Sequence, residues 1–137
     1  LSGWREIDGK TYYLDPSEKH YYYNRTASID GKTYLFGSYA ELLRNDSNYA
    51  YASDENGIVR TGFYRTDKGY LCYLEPRVIS DYQPTWQEID GKLYHFEKST
   101  SLGKHLYGSP ITTNATLEKD GKTYVIDENG VATEKVN

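Results

Sequence analysis

Methionine is absent from this 137-residue chain, cysteine occurs once and proline only 4 times. A lone thiol cannot close an internal bridge, so a disulfide framework is excluded and stability has to come from packing, repetition or a partner. No stretch approaches the roughly 18 consecutive apolar residues that a membrane span needs, and Leu1 opens directly on patterned sequence without a charged and apolar leader. The expectation is a soluble piece of a larger protein, with no membrane insertion. The 16 Lys and Arg are scattered singly among 20 Asp and Glu, for a net charge of -4. No basic stripe could track phosphates, which excludes nucleic acid as a partner.

Catalytic and metal signatures are missing too. There is no Gly-x-Ser-x-Gly elbow and no phosphate-cradling glycine loop, and no pair of carboxylates stands out as acid and nucleophile. His20, His95 and His105 lack metal-ligand spacing, Asp54-Glu55-Asn56-Gly57 reads as a turn, and Cys72 reads as a small hydrophobe within a strand. The chain is expected to be no enzyme, with no cofactor and no metal.

What the chain has in quantity is tyrosine, 16 copies beside 3 Phe and 2 Trp, and internal repetition. Ile-Asp-Gly-Lys recurs at Ile7 to Lys10, Ile29 to Lys32 and Ile89 to Lys92, and Asp120-Gly121-Lys122 follows Lys119. Each is followed two positions later by a tyrosine, namely Tyr12, Tyr34, Tyr94 and Tyr124. A looser copy runs from Asp67 to Leu74, giving about five units over residues 1–137 as a single repeat module. Asp-Gly between apolar and aromatic runs specifies a hairpin, because both central residues of a type I′ turn need positive φ. A two-residue loop at Asp8-Gly9 pairs Ile7 with Lys10, Glu6 with Thr11, Arg5 with Tyr12 and Trp4 with Tyr13. Alternation then puts Trp4, Glu6, Thr11 and Tyr13 on one face and Arg5, Ile7, Lys10 and Tyr12 on the other. Isolated hairpins are marginal in water, so the Ile and Tyr face requires cover from neighbours. The fold class is all-β: stacked β-hairpin repeats, β-solenoid-like. Ser38 with Glu41 matches a capping box and predicts one short helical insertion. The insertion from Pro76 to Pro84 is open between an extra strand and a long loop, and that from Ser99 to Asn114 is a loop with one strand at Lys104 to Tyr107.

The segment Gly3-Trp4-Arg5-Glu6-Ile7-Asp8-Gly9-Lys10-Thr11-Tyr12-Tyr13 closely resembles the cell-wall-binding or choline-binding repeat, and Trp86 to Phe96 is a second good copy. Similar repeats form the glucan-binding regions of streptococcal-type glucosyltransferases and the oligopeptide repeats of large clostridial toxins. The resemblance implies a bacterial, extracellular attachment module, secreted or wall-associated, with ligands held between successive hairpins. The family's choline pocket is an aromatic cage. Its second Trp would fall at Thr11, Thr33, Leu71, Leu93 and Thr123, so that cage is incomplete here. Trp4 with Tyr13 and Trp86 with His95, flanked by Glu6, Gln87 and Glu88, are the candidate carbohydrate-binding residues, because a pyranose stacks its C–H face on a ring while its hydroxyls seek polar partners. The expected partner is a polysaccharide or cell-wall glycan. Choline or teichoic-acid anchoring, and a protein-interaction or spacer module like the toxin repeats, are the alternatives; the oligomeric state is left open.

Overall fold

The structure, a computed structural model, describes residues 3–136, and all regular structure among them is β. By internal contacts the chain forms two compact units, Leu1–Arg60 with Lys104–Leu106, and Thr61–Gly103 with Tyr107–Asn137. In the first unit, β1 (Trp4–Ile7) pairs with β2 (Lys10–Tyr13), β3 (Arg25–Ile29) with β4 (Lys32–Phe36), and β5 (Ser47–Asn48) with β6 (Tyr51–Ala52). The second unit holds the hairpin of β7 (Gly62–Arg65) and β8 (Leu71–Leu74), then β9 (Thr85–Ile89) with β10 (Lys92–Phe96). β11 (Thr100–Gly103) and β12 (Leu106–Gly108) form a further hairpin. β13 (Ala115–Lys119) pairs with β14 (Lys122–Ile126), and β15 (Ala132–Glu134) lies between β14 and β10 in a five-stranded sheet.

The turn chemistry fixes the registers. Asp8 and Gly9 have φ of 52° and 79°, both in the left-handed region that the two-residue loop demands. Trp4 then faces Tyr13, Arg5 faces Tyr12, Glu6 faces Thr11 and Ile7 faces Lys10, the pairing read from the sequence. The same loop sets Ile29 opposite Lys32, Ile89 opposite Lys92 and Lys119 opposite Lys122. The Asn-Gly turns work differently: the Asp54 carboxylate accepts from the amides of Asn56 and Ile58, and Asp127 does the same for Asn129 and Val131. These Asx turns reverse the chain so that the residues after them pair back onto the preceding hairpin, as Ile58 does with Tyr34.

Packing follows one rule within each unit. The Ile and Tyr face of β3–β4 presents Ala27, Ile29, Tyr34 and Phe36 to the first core, where Leu42 joins them and Trp4, Tyr13 and Tyr22 pack against it. Trp4 reaches this face from the hairpin before, its ring centroid 4.9 Å from that of Tyr34. In the second unit Phe63 meets Tyr94 at 5.0 Å, and Trp86 meets Tyr124 at 5.6 Å. One hairpin's Trp-type face therefore lies on the next hairpin's Tyr face, with each fully buried Phe or Leu contributing about 1.5–3 kcal/mol. The expected cover is present at Ile29 and Ile89, both buried. It is lacking at Ile7, which is 48% exposed because β1–β2 turns its other face toward β3–β4.

Two local expectations are corrected. The capping-box segment makes a turn, not the short helix. Leu42 donates its N–H to Thr11 O at 2.7 Å and Leu43 donates to Leu35 O at 2.9 Å, so both leucines are drawn into cross-chain pairing, while the Glu41 carboxylate accepts from the Tyr39 N–H. The strand expected at Lys104 to Tyr107 is displaced: Lys104 and His105 are turn residues, and Leu106–Gly108 is the strand of a hairpin whose other arm starts at Thr100.

The segment after Pro76 is pinned to this second hairpin. Ser109 donates its N–H to Ile79 O at 2.8 Å, its hydroxyl accepts from Asp81 N–H at 2.9 Å, and Ser99 donates its N–H to Asp81 O at 2.8 Å. The approach is closest at Gly108, where a Cβ would stand 2.7 Å from Val78 Cγ1 and 3.1 Å from the Ile79 carbonyl oxygen. Gly108→Ala is expected to cost about 1–3 kcal/mol through overpacking, read as a lower urea midpoint with unchanged slope.

Candidate functional site

Among the four residues that the sequence singled out, the structure pairs Trp4 with Tyr13 at 5.1 Å and Trp86 with His95 at 4.8 Å, both edge-on. Strand alternation and the two Asp-Gly registers force this, since each pair is directly opposite across a hairpin. The two pairs lie in different units.

Around the first pair the aromatic set is larger. Tyr13 stacks on Tyr22 at 5.5 Å with a 7° interplanar angle, and the Arg25 guanidinium sits over the Tyr22 ring at 4.8 Å. The Tyr22 hydroxyl donates to Asp15 Oδ2 at 2.6 Å, which lowers the Asp15 carboxyl and raises the Tyr22 phenol from their ordinary values. Tyr13 is thus held between the stacked Tyr22 ring and the edge-on Trp4 ring, and serves to position Trp4.

Trp4 borders an open cavity of about 320 Å³ whose other walls come from Glu6, Thr11, Tyr34, Arg44 and Asn56, with Leu42 and Arg5 completing it. Arg44 donates from Nη2 to Thr11 Oγ1 at 3.1 Å and from Nη1 to the Glu55 carbonyl at 3.4 Å. The side chains lining it, an indole, a phenol, a carboxylate, a hydroxyl, a guanidinium and an amide among them, border a space within the size range of small-molecule sites. Sequence reasoning assigned Tyr34 to the core and missed Arg44. The guanidinium lies 33 residues from its partner Thr11 and carries no local signal. Thr11, where the family's second Trp would fall, is instead the anchor for a cation.

At the second pair the chemistry is a relay. His95 Nδ1 and Thr112 Oγ1 are 2.7 Å apart, and the Thr112 hydroxyl donates to Glu97 Oε2 at 3.0 Å. A carboxylate only accepts, so the hydroxyl commits its proton there and His95 donates from Nδ1, leaving Nε2 as an acceptor in the neutral ring. Burial lowers His95 from its ordinary value, with Glu97 opposing. The unfolded chain therefore binds the proton first as pH falls, and folding stability declines on acidification through about pH 6.5 until the folded imidazole itself titrates. In thermal melts from about pH 7.5 to about pH 5.5, the wild-type melting temperature should drop more than that of His95→Gln, whose amide cannot titrate.

Residues 2–19, which hold Trp4, Tyr13 and the Asp8-Gly9 turn, match the family model described as "Putative cell wall binding repeat". That match spans the first hairpin and its flanks. The chain is similar to Glucosyltransferase-I of Streptococcus downei, at 26% identity over an alignment 136 positions long that covers 89% of this chain and 8% of that protein. It therefore spans under a tenth of that relative. Choline binding protein F from Streptococcus pneumoniae shares its fold, with a TM-score of 0.64 and 20% identity over 97% of this chain and 42% of that one. So does the modular autolysin LytC of Streptococcus pneumoniae, solved with a synthetic peptidoglycan ligand, with a TM-score of 0.60 and 16% identity over 98% of this chain and 34% of that one.

Proposed function

We propose that this chain is a noncatalytic binding module that attaches a secreted or surface bacterial protein to a carbohydrate, a glucan or wall polysaccharide. The observation that carries it is the Trp4 cavity, where Trp4 and Tyr34 offer ring surface beside Glu6, Thr11, Arg44 and Asn56. A pyranose fits that mixture: its C–H face lies on a ring, and paired hydroxyls meet a carboxylate and a guanidinium fork. The similarity to a glucosyltransferase and the fold shared with wall-binding proteins support the same reading. Trp86, His95 and Thr112 form a second contact of the same kind, with His95 Nε2 facing a sugar hydroxyl as acceptor.

Choline is disfavoured at Trp4 by charge. Thr11 stands where the family's second Trp would fall, and the Arg44 guanidinium bonded to its hydroxyl repels a quaternary ammonium.

Affinity electrophoresis of the chain through gels containing dextran, a β-glucan or purified wall polysaccharide tests this, with a choline-supplemented lane as competitor. Retardation by one polymer that choline leaves unchanged is the expected result. Retardation abolished by choline would replace the sugar site with a cage, and a folded chain that runs freely in every gel would move the weight to a protein-interaction or spacer role.

A further inference from the structure

The second unit holds a larger feature away from Trp86. An open groove of about 850 Å³ is built by the two insertions, with Val78 and Ile79 among its lining residues. Two tyrosines border it, Tyr82 at 84% exposed and Tyr107 at 49%, and neither ring meets another aromatic ring among the described residues. Exposed rings also occur at Tyr23, Tyr39 and Tyr49; what sets Tyr82 and Tyr107 apart is that both border one groove, where two rings from separate insertions are brought to the same concave surface.

The polar lining is balanced. Arg77 and Lys98 carry two positive charges, and Glu75 and Asp81 carry two negative ones. The groove has no net field to select an anion or a cation, yet it offers donors and acceptors on both sides. Ser80 and Ser99 add hydroxyls 2.6 Å apart, and Ser99 also donates to the Asp81 carbonyl at 2.8 Å. The wall is held before any ligand arrives by the bonds from Ser99 and Ser109 to Asp81 and Ile79, so little ordering cost would be left for binding.

We propose that this groove is a second carbohydrate subsite, one that takes a neutral oligosaccharide chain. Tyr82 and Tyr107 supply stacking surfaces for sugar rings, and Arg77, Glu75, Asp81 and Ser80 bond their hydroxyls. At more than twice the volume of the Trp4 cavity, it takes a longer stretch of polymer than that site. The inference shares the glycan-binding reading given above but none of its residues, so the two succeed or fail separately.

The test is an amide-shift titration of the isotope-labelled full chain by NMR, with isomaltotetraose, cellotetraose and chitotetraose added in turn. One of the three should shift the amides of Ser80, Asp81, Tyr82, Ser99 and Tyr107 saturably at millimolar concentration. Tyr82→Ala with Tyr107→Ala should weaken that response about tenfold or more, leaving the Trp4 and Tyr34 amides responsive and the melting temperature unchanged, since both rings are exposed. Shifts confined to Trp4 and Tyr34 would sink the groove and leave the proposed function standing. Shifts in the groove alone would keep it and remove the Trp4 site. Silence at both sites with all three sugars would overturn both readings, as would a groove response that survives loss of both tyrosines for the groove.

Discussion

Phe36→Ala should be the most destabilising single change in the first unit, lowering its stability by about 3–5 kcal/mol. Phe36 is fully buried, and its ring lies 6.2 Å from Trp4 and 5.9 Å from Tyr22, so the void left by truncation opens where β1–β2 and the Tyr22 segment meet β4. None of these neighbours can collapse into it freely. Tyr22 is tied to Asp15 by its hydroxyl, and Trp4 is also braced edge-on by Tyr13 and Tyr34. Urea denaturation followed by circular dichroism gives the number. Phe36→Leu, which keeps most of the volume, should cost under about 1.5 kcal/mol. If the two variants cost the same, the packing described around Trp4 is not what holds β1–β2 in place.

Trp4→Ala should weaken retention by the responsive polymer about tenfold to a hundredfold, the range for a central aromatic anchor. Trp4→Phe should recover most of it, because a smaller ring still presents a C–H stacking face to the sugar while leaving the Glu6, Thr11 and Arg44 side untouched. Trp86→Ala should have a comparable effect, and the double variant should run as though the gel held no polymer, since a second contact on one chain acts intramolecularly and its loss multiplies. The melting temperature must be followed alongside, because Trp4 packs on Phe36 as well. Retention that stays at the wild-type level in the folded double variant would remove both Trp sites.

The hairpins were legible because their information is local. Asp-Gly with both φ angles positive leaves one loop geometry, and one geometry leaves one register; hence Trp4 opposite Tyr13 and Trp86 opposite His95 could be read off the chain. Which face turns inward was less accessible. Ile7 and Ile29 occupy the same place in the repeat, yet one is exposed and the other buried, and the difference is set by what lies against each hairpin. The capping box at Ser38 failed for a related reason: the leucines after it find carbonyls at Thr11 and Leu35, and long-range pairing overrode a local helix signal. Arg44 and the groove were hidden for the same cause in stronger form. A guanidinium brought to Thr11 from the loop between β4 and β5, or Tyr82 and Tyr107 brought to one groove by two insertions, leaves no periodic trace. Repetition exposes what every unit shares, and the polar partners of a ligand are what single units add.

The lay-down of one hairpin's Trp-type face on the next one's Tyr face, seen at Trp4 with Tyr34 and at Trp86 with Tyr124, makes each junction a separately editable address. A junction is written by only a few positions, the ring on one side, the residue at Thr11 or Leu93 across the hairpin, and whatever side chain a loop delivers. Rewriting one need not disturb the spelling of another, because stability in such arrays is a sum over neighbours. Such a chain can gain, lose or retune grip in increments, without passing through an unfolded intermediate sequence. The engineer's counterpart is equally direct: introducing a ring at Thr11 and removing Arg44 would be the shortest edit from the proposed sugar platform toward a cation cage.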